Sequence, residues 1–211
     1  MKKINYKVIL VIIGLILFES IFYFLSKLTF IEPYLLTSSL DSKLPLIPFF
    51  IYFYVFWYLM LFIVPYIIYL KKKELFLEYV TVFVFCVLVS TVIFFFFPTT
   101  IMRGNVEVNN FTNYLLNFIY LTDTPALNCL PSMHCAVCFG FMYYSLKINL
   151  KWYYKVIINV LSILIILSTL LIKQHVIWDA LAALILVVGV IIVVKRFKLD
   201  NILKKKIENY L

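Results

Sequence analysis

The stretch KQHVIWDALAALILVVGVIIVVKR, residues 173–196, decides the fold: ionisable residues open it, an uncharged run from Ala180 to Val194 follows, and Lys195 and Arg196 close it. A run of that length and apolarity reads as a membrane-crossing helix, which needs about 20 residues. A carboxylate in such a helix costs about 2.5 to 3.5 kcal/mol at the centre and less near an end, so Asp179 requires compensation. His175 supplies it. Residues four apart share a helix face, which puts imidazole and carboxylate within hydrogen-bonding reach. The other histidine of the chain lies in Asn128-Cys129-Leu130-Pro131-Ser132-Met133-His134. There Pro131 cannot continue a helix from upstream and Ser132 can cap one, so Ser132 and His134 belong at a helix start.

The rest of the chain reads as a frame for these two stretches. Of its 211 residues 65% are hydrophobic and four are glycine, with a mean hydropathy of +1.05. No core of this size can hide that much apolar surface, so the chain is expected to be an integral membrane protein. Six stretches are long enough to cross: residues 8–31, 46–70, 75–97, 132–150, 152–172 and 176–194. The expected fold class is therefore all-α, a polytopic bundle of six transmembrane helices forming one domain over residues 1–211. The first stretch exceeds the apolar length of a secretory leader, and no small-residue cleavage site follows it, so it reads as a retained helix. Glu19 near its middle reads as a carboxyl facing other helices.

The basic residues set the orientation. If the N-terminus is cytoplasmic, the inner segments hold 15 of the 19 lysines and arginines, leaving Lys27, Lys43, Arg103 and Lys173 outside. That asymmetry predicts a multi-pass cell-membrane protein with both termini inside. The net charge of +9 is thus a topology signal, and because it punctuates apolar spans without forming a face it argues against nucleic acid. Residues 98–131 form a connection too long for a turn. Within it Phe111, Tyr114, Leu115, Phe118 and Ile119 recur at helical spacing, which predicts a short amphipathic helix at the outer interface. The basic tail from Lys195 to Leu211 predicts a helix on the inner surface, held by anionic lipids.

Pro131-Ser132-x-His134 and Ser168-x6-His175-x3-Asp179 resemble the second and third signature motifs of the type-2 phosphatidate phosphatase (PAP2) superfamily. The first motif is present in part, across residues 97–103. Arg103 matches its arginine, while Phe96 stands where the family has lysine and Gly104 where it has proline. Thr169 stands where the third motif has arginine, and Lys173 can deliver that charge from another position. By this resemblance His175 is the nucleophile, Asp179 orients it, His134 is the general acid and base, and Arg103, Ser132 and Lys173 hold the phosphate. The residue chemistry agrees: arginine offers a fork of donors that matches phosphate oxygens. By the predicted topology all three motifs fall at the outer side.

The implied activity is hydrolysis of the phosphate or diphosphate head of a lipid at the outer leaflet, through a phosphohistidine and without a cofactor. The missing charges at Phe96 and Thr169 favour a less charged phosphate. They keep open a head-group phosphotransferase similar to sphingomyelin synthases, a distant branch of the superfamily. A transporter with a His/Asp relay is the reading from another class. No metal is expected: Cys129, His134, Cys135 and Cys138 have zinc-like side chains, but His134 and Cys135 are adjacent and diverge by about 100° on a helix. The sequence leaves open whether Cys129, Cys135 or Cys138 forms a disulfide, and it implies no protein partner.

Overall fold

A computed structural model describes residues 5–207, leaving Lys2 and Lys3 of the orientation argument, and the tail beyond Ile207, outside the described residues. The described chain is all-helical: α1 Tyr6–Ser26, α2 Ile51–Lys71, α3 Lys73–Phe96, α4 Phe111–Thr122, α5 Met133–Lys147, α6 Trp152–Leu171, α7 Ile177–Phe197 and α8 Asp200–Ile207. A 3-10 turn, Pro48–Phe50, leads into α2. Five helices, α1, α2 with that turn, α3, α6 and α7, are long and apolar enough to cross a membrane. These helices mark the chain as a membrane protein.

The sixth expected span differs. Residues 132–150 yield a helix of 15 residues, α5, because Ser132 is used as the cap and the backbone turns extended at Ile148. At 1.5 Å per residue that is roughly 22 Å, short of a hydrocarbon core of about 30 Å. Burial explains how so short a helix is held. Phe141 and Tyr144 are fully buried, and α5 packs against α6, α7 and α3 at the centre of the bundle.

Six helix ends meet at one end of the bundle. The connection after α1 pairs with the one after α3 in a two-stranded parallel sheet, β1 Tyr34–Leu35 with β2 Thr99–Thr100, in register Tyr34 to Thr99. Ile47 N–H donates to Leu171 O at 2.9 Å, joining the approach to α2 with the end of α6. Ser132 N–H donates to Asp179 O at 3.2 Å, joining the starts of α5 and α7. Thr99, fully buried, accepts from the N–H groups of Cys129 and Leu130 through its hydroxyl. These bonds draw the three sequence motifs together. The helix expected around Phe111 is α4, which packs against the 3-10 turn and the start of α2 at this same end. At the opposite end α8 lies against α3, with Leu199 and Leu203 on the main core.

Candidate active site

The spacing reading of His175 and Asp179 holds in distance and needs correction in position. Helix α7 begins at Ile177 with Val176 as its N-cap, so His175 precedes the helix and only Asp179 is on it. Asp179 Oδ2 accepts twice, from Val176 N–H at 3.0 Å and from His175 Nδ1 at 3.0 Å. A carboxylate can only accept, so Nδ1 carries a proton, and in the neutral imidazole the lone pair is on Nε2. The carboxylate in the first turn of α7 also meets the positive end of the helix dipole. These contacts offset part of the burial cost of Asp179, whose exposure is 0% and whose Oδ1 has no hydrogen-bond partner. The loop ahead is held from α6: the carbonyl of Thr169 accepts from Gln174 N–H at 2.9 Å and His175 N–H at 3.0 Å. Lys173 makes that turn with a left-handed φ of 55°. Thr169 thus fixes the loop through its backbone, in the place where the resemblance has an arginine.

His134 is the second residue of α5, after the Ser132 cap, whose hydroxyl accepts from Cys135 N–H at 3.3 Å. Its ring stacks on Tyr54 at 4.6 Å and lies against Trp57 at 4.2 Å between centroids. The two histidine rings are 5.9 Å apart. The expected pair is therefore assembled, with Ser132 and Asp179 beside it.

Arg103 arrives with its charge already engaged. Its guanidinium forms an ion pair with Asp123, donates to the carbonyls of Tyr120 and Asp123 at 3.2 and 3.1 Å, and donates to Gln174 Oε1 at 2.6 Å. Asp123 also receives Lys27 at 3.2 Å and the hydroxyl of Tyr23. The Tyr120 ring lies 5.0 Å from the guanidinium, and burial pushes its phenol up to about 12, against the pull of Arg103. It is a donor at neutral pH, bonded to Ile172 O. Lys173 is also engaged: its ammonium donates to the carbonyls of Asp41 and Leu44 at 2.9 and 2.6 Å. Asp41 in turn accepts from Ile177 N–H at 2.9 Å, tying the 38–45 loop to the start of α7.

Two cavities flank this group, and His175 lines both. One, of about 370 Å³, is also lined by Arg103, Lys173 and Gly104. The other, of about 330 Å³, is lined by His134, Trp57, Asp123 and Glu19. Asp123, Gln174, Trp57 and Tyr54 had no role in the sequence reading. Gln174 stood inside a quoted motif, and Trp57 and Tyr54 lie in the second expected span, residues 46–70.

Cys86, Cys129, Cys135 and Cys138 are all buried and free. Burial raises the thiol of Cys129 above its ordinary range, which disfavours the thiolate that a metal would need. No group of three or more potential metal ligands occurs among the described residues.

No curated protein and no solved structure matches the chain. A family model described as the PAP2 superfamily matches residues 26–193, a span that holds Arg103, Ser132, His134, Lys173, His175 and Asp179. Enzymes of that superfamily are generally of the phosphatase type. Helices fit for a membrane, two histidines and a buried aspartate in the expected order, and a match over most of the chain lead to one conclusion: this chain belongs to the PAP2 superfamily.

Proposed function

We propose that this protein is an integral membrane lipid phosphatase that acts on the phosphate or diphosphate head of a lipid through a phosphohistidine at His175. The single observation that carries this reading is the bond of His175 Nδ1 to Asp179, which leaves Nε2 as the nucleophilic atom beside two cavities. In the first step Nε2 bonds to phosphorus and the bond from phosphorus to the leaving oxygen breaks. His134 gives that oxygen a proton, while Asp179 stabilises the positive charge gained by His175. In the second step water attacks phosphorus, His134 takes its proton, and the P–N bond breaks. Arg103, Lys173, Ser132 and the N–H groups at the helix starts supply the positive field in which charge develops. No cofactor enters this scheme.

The proposed topology has six crossings, with α5 as the short one. It starts beside Asp179 and ends where α6 begins, at the far end of the bundle, and the packing of its neighbours lets it cross without facing lipid along its whole length. The distribution of Lys and Arg supports cytoplasmic termini, a site that faces outward, α4 at the outer interface, and a basic inner tail near anionic lipids.

A second reading, head-group phosphotransfer of the sphingomyelin-synthase type, is favoured by one observation. Arg103 is already paired with Asp123, and Lys173 already donates to two carbonyls. A phosphate monoester carries close to two negative charges at neutral pH, by analogy with a phosphorylated side chain, and a diester about one. A partly neutralised clamp suits the diester. The test is purified protein with phosphatidate, a prenyl diphosphate or a phosphatidylglycerol-type diester, with and without diacylglycerol, following free phosphate and new phospholipid separately. The phosphatase releases phosphate regardless of acceptor. New phospholipid without phosphate release establishes the transferase, and no reaction with any substrate returns the transporter reading.

A further inference from the structure

Gln174 precedes the nucleophile in the chain and takes no part in the two chemical steps, yet it is 3% exposed and bonded through both backbone and side chain. Its N–H shares the carbonyl of Thr169 with that of His175, at 2.9 and 3.0 Å, so one acceptor on α6 holds both residues. Its side-chain Oε1 accepts from Arg103 Nη2 at 2.6 Å. A guanidinium has four terminal N–H donors and one on Nε. The terminal donors of Arg103 divide unevenly. They go to the carbonyls of Tyr120 and Asp123 and to the Asp123 carboxylate, all at the end of α4, and to Gln174. The contact with Gln174 is the one that ties Arg103 to the loop carrying His175. Arg103 reaches the site from residues 101–109, a stretch without helix or strand, so its aim depends on these side-chain contacts.

Arg103 and His175 both line the cavity of about 370 Å³, and Gln174 does not. On a phosphate held there Gln174 acts through Arg103. We infer that Gln174 is a positioning residue, which fixes the Arg103 guanidinium relative to the His175 ring and thereby sets the affinity of this cavity for a phosphoryl oxyanion. The chemistry of the side chain fits that task. An amide oxygen accepts a hydrogen bond without carrying charge, so it orients the guanidinium and leaves intact the positive charge that Asp123 has not cancelled. A carboxylate in the same place would orient the guanidinium equally well and cancel more of its charge.

This inference rests on the lipid-phosphatase reading, but its test needs no turnover. Orthovanadate, an oxyanion that resembles five-coordinate phosphorus, is titrated by calorimetry into detergent-solubilised protein. The samples are wild type, Gln174→Leu, Gln174→Glu, Arg103→Lys, and Arg103→Lys combined with Gln174→Leu. Wild type is expected to bind the anion, and Gln174→Leu to bind it about tenfold more weakly, the equivalent of one hydrogen bond. Lysine at position 103 keeps the charge, so binding stays measurable, but it is a point charge without a fork to aim. In that background Gln174→Leu should cost less than about twofold, because residues that act through one another are not additive. Gln174→Glu keeps the length and the acceptor, and it should also bind more weakly than wild type because the added charge opposes the anion. Unchanged or tighter binding in Gln174→Leu, an equal loss in the Arg103→Lys background as a merely structural role would give, wild-type affinity in Gln174→Glu, or no binding by wild type overturns the inference. The expected binding pattern without phosphate release from any lipid phosphate would instead remove the phosphatase reading and leave the positioning role standing.

Discussion

Asp123 sets the charge that the site presents. It is shared by Arg103, Lys27 and the Tyr23 hydroxyl, so part of the positive field expected from the outer basic residues is cancelled before a substrate arrives. Asp123→Asn restores that field, and it is expected to lower KM for a phosphate monoester lipid by about 3- to 10-fold relative to a diester, a partly exposed ion pair being worth roughly a kcal/mol. Steady-state kinetics on both substrates check this, and an equal change for both would contradict it. The acid is tested separately: His134→Ala is expected to lose about 10² to 10⁴ in kcat on a lipid alkyl phosphate. On an aryl phosphate, whose leaving group needs no proton, it should lose far less. Sequence gave no sign of Asp123, since no spacing rule joins an aspartate in one part of a long connection to an arginine in another. Trp57 and Tyr54 were hidden for a different reason: an aromatic-rich span has many rings, and only the fold says which two meet His134.

At the scale of elements, hydropathy made five long helices legible, and the 3.6-residue period made α4 legible within a few residues. It failed where a helix ends for reasons other than polarity. Apolar residues continue through Ile148 and Leu150, but α5 has stopped at Lys147, which hydropathy does not register. At the start of α7 the error was one of position: His175 and Asp179 are four apart and do bond, yet across the N-cap and not along a helix face. The Ser132 cap was legible from Pro131-Ser132 and is observed. Ser132→Ala removes that cap bond and is expected to cost about 1 kcal/mol. A thermal melt in detergent measures the loss, and an unchanged midpoint would show that the start of α5 is held by its neighbours alone.

For the whole molecule, the account is of a bundle whose connections at one end converge on two histidines and an aspartate. Cysteines placed by Asn105→Cys or Lys73→Cys, in a background lacking Cys86, Cys129, Cys135 and Cys138, test which side that end faces. An impermeant thiol reagent added to intact cells is expected to label position 105 and spare position 73, and the reverse would put the site in the cytoplasm. The central claim is that His175 carries the phosphoryl group. Protein quenched during turnover of a lipid labelled in its phosphate should retain label that survives alkali and is lost in mild acid, as a phosphoramidate bond requires. His175→Ala should retain none and release no phosphate, while label or phosphate release persisting in His175→Ala would contradict the account.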